Sequence, residues 1–168
     1  MTAPLLALDA LEPLVLQLAA ALRARRWRLA TAESCTGGLV AAACTAVAGS
    51  SDWFERGFVT YSNEAKVQSL GVPAALIARH GAVSREVALA MAEGVLRLAP
   101  ADLALGVTGI AGPGGAVPGK PVGTVWLGLA ARGQSARAEL LQLGGDRASI
   151  RAQTVQQALQ RLLEAARP

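Results

Sequence analysis

The sequence predicts an α/β fold, a three-layer α/β/α single domain around a mixed, mostly parallel sheet of about five strands, and three observations carry that expectation. Short apolar runs alternate with helical stretches, the order that builds parallel strands. Two consecutive runs are joined by a polar turn alone, which marks one antiparallel hairpin. Ala and Leu dominate an apolar fraction of 52%, while aromatics reach only 4%, a composition suited to helices lying close on a sheet. At 168 residues the chain makes one domain with a core of its own.

Leu11, Leu14, Val15, Leu18 and Leu22 recur at helical spacing, so the first element is an amphipathic helix ending in Arg23, Arg25 and Arg26. A strand follows over Leu29 to Ala32, then Glu33-Ser34-Cys35-Thr36-Gly37-Gly38, then an alanine-rich helix from about Leu39 to Val47. Phe54 to Tyr61 reads as a strand, and Ser62 or Asn63 caps a short helix carrying Glu64 and Lys66 that Gly71 closes. Pro73 opens a helix to His80, and Ser84 caps a longer one over Arg85 to Leu98 with Val87, Met91, Val95 and Leu98 along one stripe. Leu103 to Val107 is a buried strand that runs into the glycine-rich loop Thr108 to Gly115. Val122 to Ala130 and Ala136 to Leu143 form the hairpin, and Gly144-Gly145-Asp146 leads into a last helix from about Arg147 to Ala165.

Charge and composition narrow the function. The net charge is +4, but the arginines are scattered and never form a dense run with interleaved aromatics, so a nucleic-acid partner is not expected and an anionic small molecule is. Cys35 and Cys44 with the lone His80 match no metal-ligand spacing, so no structural metal is expected, and free thiols point to a reducing compartment. The apolar stretch from Met1 to Trp27 is broken by Pro4, Asp9, Glu12 and Pro13, and its positive charges follow the apolar part, unlike a signal peptide. No run reaches the roughly 20 apolar residues of a membrane span. A cytoplasmic protein with no membrane partner is the expectation, and an apolar first helix with a site at strand ends suggests a homodimer.

Several residues could carry chemistry. Ser34 lies between a strand and a helix, where unpaired N–H groups of the helix start could hold an oxyanion. Equally, Ser34 or Thr36 could simply cap that helix, with Gly37 and Gly38 permitting close packing. A serine nucleophile needs a base. Lys66, near the positive end of a helix dipole and open to desolvation, is a better candidate than His80, although a solvated surface lysine is the plainer reading. Tyr61 ends the strand before Lys66, so its hydroxyl could reach the same pocket or merely be satisfied at the edge of the core. Thr108, Gly109 and Gly112 belong to a loop that lets backbone approach a phosphate, although it matches no established phosphate motif. Arg147 and Arg151, one turn apart, could fork a phosphate or simply be solvated.

Five ordered blocks closely resemble the CinA C-terminal-domain family: Thr31 to Gly38, Phe58 to Lys66, His80 to Ser84, Thr108 to Gly115, and Lys120 to Trp126. Gly145-Asp146-Arg147 and Ile150-Arg151 match as well, so the likeness runs from the first helix to the last. Ala116-Val117-Pro118-Gly119 is less polar than the family's usual segment there. The domain in that family either follows an N-terminal domain or stands alone as a nicotinamide-nucleotide amidohydrolase, the form this chain resembles. The resemblance implies Ser34 as nucleophile, Lys66 as base and Tyr61 beside them, deamidating nicotinamide mononucleotide without a cofactor. It also implies substrate contacts from Thr36, Gly37, Gly38, Thr108, Gly109, Gly112, Arg147 and Arg151. Two rival readings are a non-catalytic nucleotide-binding module and an amidase acting on another small amide.

Overall fold

The computed structural model describes residues 7–168, so Pro4 lies outside it. The elements are α1 (Leu8–Arg25), β1 (Leu29–Glu33), α2 (Leu39–Thr45), a 3-10 turn (Ser50–Asp52), β2 (Phe54–Val59), α3 (Asn63–Leu70), α4 (Ala74–His80), α5 (Arg85–Leu98), β3 (Leu103–Gly109), β4 (Thr124–Ala131), β5 (Arg137–Gln142) and α6 (Arg147–Ala166). The five strands lie in the order β2-β1-β3-β4-β5. The β1 pairings with β2 and β3 are parallel, and the β4 pairings with β3 and β5 are antiparallel, so every strand but β4 points the same way.

Alternation along the strands builds two unequal faces. Leu103, Leu105 and Val107 of β3, with Val125, Leu127 and Leu129 of β4, meet α1, α2 and α6 in a core that also holds Leu18, Leu22, Trp53, Leu159 and Leu162. Each such buried aliphatic side chain contributes about 1.5–3 kcal/mol. The opposite face presents Ala30, Ala32, Ala104 and Ala130 to Val87, Met91 and Val95 of α5, together with Leu70 and Ile77. Small residues there bring α5 unusually close. Gly106 and Gly128 are register partners across β3 and β4. A Cβ on Gly128 would stand 2.1 Å from the Ala88 carbonyl oxygen, and one on Gly106 would stand 2.8 Å from the same atom.

Two helix starts follow the expected caps, Ser62 accepting from Ala65 N and Ser84 from Val87 N. Asp146 adds a third, accepting from Ser149 N. β2 is shorter than its sequence suggests, ending at Val59 instead of Tyr61. Thr60 and Tyr61 therefore leave the sheet, and their carbonyls become available to side chains. The C-terminal ends of β1, β2 and β3 converge on one edge, with Glu33 in register with both Val59 and Val107. In an open sheet of this kind, that edge is where ligands bind. Among the described residues, no helix is long and apolar enough to cross a membrane.

Candidate active site

At that edge Ser34 follows β1 directly, and Lys66 reaches it from α3. Lys66 Nζ lies 2.9 Å from Ser34 Oγ, 2.9 Å from the Thr60 carbonyl oxygen and 3.2 Å from the Tyr61 carbonyl oxygen. Lys66 is only 1% exposed, which removes the solvated-surface reading. Among the described residues no carboxylate stands within ion-pair distance of it. Burial therefore lowers its pKa from the ordinary lysine value, with only a small opposing influence from Cys35.

Lys66 Nζ thus has three acceptors around it, two backbone carbonyls and the Ser34 hydroxyl, and that hydroxyl faces the Tyr61 carbonyl at 3.5 Å. An amine that has lost its proton could keep two N–H groups on the carbonyls and turn its lone pair to the Ser34 hydroxyl. Ser34 is not a helix cap. Gly38 is the cap residue of α2 and makes no side-chain bond there.

What does cap α2 is Glu33. Its carboxylate accepts from Val40 N at 2.8 Å and Ala41 N at 3.0 Å. The expectation that the first N–H groups of this helix await an oxyanion is thus corrected: the buried Glu33 side chain already holds those of Val40 and Ala41. The N–H groups of Cys35 and Thr36, in the turn before the helix, have no acceptor among the described residues.

The remaining sequence-predicted residues separate into two groups. A cavity of about 230 Å³ is lined by Ser34, Lys66, Tyr61, Thr108, Gly109 and Arg147, together with Cys35, Asn63, Ala82 and Val83. Thr108 Oγ1 donates to the Ala82 carbonyl at 2.8 Å, which ties β3 to the segment before α5. Arg147 donates to the Gly112 carbonyl at 2.8 Å and to the Tyr61 hydroxyl at 3.1 Å. Tyr61 thus offers its carbonyl to Lys66 and its hydroxyl to Arg147.

Thr36, Gly37, Gly38, Gly112 and Arg151 are not among the lining residues. Thr36 is fully buried and its hydroxyl has no partner among the described residues. Gly37 and Gly38 take φ of 60° and 100°, the left-handed conformations that let the chain turn from β1 into α2. Arg151 donates to the Cys35 carbonyl at 3.1 Å and the Thr36 carbonyl at 3.2 Å. The two arginines consequently engage different partners, with Arg147 on the cavity and Arg151 beneath the turn.

Sequence reasoning passed over Glu33, Thr60 and Asn63 as site residues. An acidic residue between a buried strand and a helix lacking a cap of its own was the available signal for Glu33. Nothing local could mark Thr60, whose contribution is a backbone carbonyl. Cys35 adjoins Ser34, but burial pushes its thiol up to about 11, so it stays protonated at neutral pH and is a poor rival nucleophile.

Comparison with known proteins adds a family. A model of the CinA C-terminal domain matches residues 11–166. Nicotinamide-nucleotide amidohydrolase PncC from Enterobacter agglomerans is 50% identical over 153 residues, which are 91% of this chain and 93% of that protein. A CinA-like protein from Citrifermentans bemidjiense is 59% identical over 138 residues, 82% of this chain but 33% of that longer protein. Among solved structures, the competence/damage inducible protein CihA from Agrobacterium tumefaciens has a TM-score of 0.89 at 44% identity, covering 92% of this chain and 94% of that one.

Proposed function

The chain belongs to the CinA C-terminal domain family, and from that premise we propose that it hydrolyses the carboxamide of nicotinamide mononucleotide to nicotinic acid mononucleotide and ammonia, with Ser34 as nucleophile and Lys66 as its base. The observation that carries the reading is the buried Lys66 amine, 2.9 Å from Ser34 Oγ with its N–H groups directed at two carbonyls. The similarity to the Enterobacter agglomerans amidohydrolase over nearly the whole of both chains supports the substrate.

In this mechanism Lys66 takes the Ser34 proton as Oγ attacks the carboxamide carbon. The tetrahedral intermediate collapses with cleavage of the C–N bond, and the Lys66 ammonium returns the proton to the departing nitrogen, releasing ammonia. Water then attacks the Ser34 ester. Lys66 accepts the water proton and passes it to Ser34 Oγ as the ester bond breaks. The sum is one amide and one water converted to one acid and one ammonia.

The cavity size fits the same substrate. An apolar cavity of about 150 Å³ admits benzene, so about 230 Å³ holds a pyridine ring with its carboxamide, leaving ribose and phosphate toward the open side. Arg147, Thr108 and Gly109, which line the cavity, are the groups proposed to meet the 5′-phosphate. Ammonia release from nicotinamide mononucleotide, from its dephosphorylated nucleoside and from free nicotinamide tests the assignment. The expected order is nucleotide, then nucleoside, then free base, with loss of the phosphate costing roughly 10- to 100-fold in kcat/KM, the worth of one charge-assisted contact. No ammonia from the nucleotide, or equal kcat/KM for nucleotide and nucleoside, contradicts it.

A further inference from the structure

Resting on the hydrolase reading above, we infer that Arg151 is a positioning residue for the turn that carries Ser34, aligning the Cys35 N–H on the cavity wall as an oxyanion donor and taking no part in phosphate binding. Its Nε and Nη2 atoms donate to the carbonyls of Cys35 and Thr36, two consecutive acceptors of the turn. A trans peptide unit holds its C=O and N–H in opposite directions. By holding the Thr36 carbonyl on the α6 side, Arg151 therefore directs the Gly37 N–H the other way, onto the Ser34 carbonyl. That bond fixes the Ser34–Cys35 peptide unit in turn, which orients the Cys35 N–H.

The Cys35 and Thr36 N–H groups have no backbone acceptor among the described residues, and Cys35, unlike Thr36, lines the cavity beside the nucleophile. The α2 N–H groups that could have substituted for them are held by Glu33. Arg151 lies under the turn: a Cβ on Gly37 would be 3.5 Å from its Nη2 atom. A lysine gathers its three donors on a single nitrogen and cannot reproduce the planar two-point grip of Nε and Nη2.

Kinetics of Arg151→Lys and Arg151→Met on the nucleotide and on its nucleoside separate positioning from phosphate binding. The expected result is a roughly 10²-fold fall in kcat for Arg151→Met, with a smaller fall for Arg151→Lys. The fall should be equal for the two substrates, with KM for the nucleotide within about threefold of the parent, since the lost interaction acts on the transition state alone. Arg147→Met, by contrast, should raise KM for the nucleotide and narrow the preference for it. Arg151→Lys retains the cation and the packing of its stem, so it reports even if Arg151→Met fails to fold.

Unchanged kcat in Arg151→Lys overturns the proposal. So does a rise in KM confined to the nucleotide, which would make Arg151 a phosphate ligand. A parent that releases no ammonia from either substrate instead sinks the hydrolase reading, a failure distinguishable from both.

Discussion

Lys66→Met should lower kcat by about 10⁴-fold or more while making the folded chain more stable at neutral pH. The two effects have one cause. Lys66 is 1% exposed, makes no ion pair among the described residues and has a pKa depressed chiefly by desolvation. Because its folded-state pKa lies below the unfolded value, the unfolded chain binds more protons across the window between them, and stability rises with pH there. The destabilisation is fully present below the folded pKa and is gone above the ordinary lysine value of 10.5. Methionine fills a similar volume without a charge to desolvate but gives up the bonds to the Thr60 and Tyr61 carbonyls, so the net gain expected is no more than about 1 kcal/mol. Thermal melts and ammonia release on one preparation measure both. The same protonation sets the parent's pH profile: kcat/KM should climb as the amine loses its proton, with an apparent pKa below 10.5. A variant that is inactive but no more stable would detach the lysine's burial from its chemistry.

Gly128→Val should be the most damaging single change in the fold. Its first side-chain carbon would lie 2.1 Å from the Ala88 carbonyl oxygen and 2.5 Å from the Ala88 carbonyl carbon, positions occupied by helix backbone that no rotamer change can clear. Either α5 lifts from the sheet or β4 bends. Overpacking of this sort costs roughly 3 kcal/mol or more, which for a domain of this size lowers Tm by roughly 6–12 °C. Activity should fall too, because Ala82 and Val83, just before α5, line the cavity and Thr108 is bonded to the Ala82 carbonyl. Gly144→Ala serves as the comparison, since nothing lies within 4 Å of a Cβ there and its φ is not positive. Melting curves that leave Gly128→Val and Gly144→Ala equally stable would contradict the close α5 packing.

The sequence made much of the architecture legible because several helix starts carried their own chemistry. Ser62 and Ser84 cap as their neighbours suggest, and the β4–β5 hairpin follows from a polar turn between two apolar runs. The α5 approach was less visible. Isolated glycines within strands signal close backbone contact, but only register shows that Gly106 and Gly128 face each other. At the site, Ser34 and Lys66 could be singled out by residue type. The groups that orient them could not: Thr60 and Tyr61 act through carbonyls that exist as ligands only because β2 stops at Val59. The Arg151 contact joins positions 116 and 115 residues apart in sequence. Glu33 stood in plain view beside Ser34, yet its reach to Val40 and Ala41 depends on how the turn folds back.

The Ser34–Lys66 pair is the centre of this account, and ammonia release from nicotinamide mononucleotide by Ser34→Ala tests it most directly. Alanine removes only the hydroxyl from a residue that caps nothing, so the fold should persist while turnover drops below about one thousandth of the parent. Ammonia release at the parental rate would contradict the assignment of Ser34 as the nucleophile.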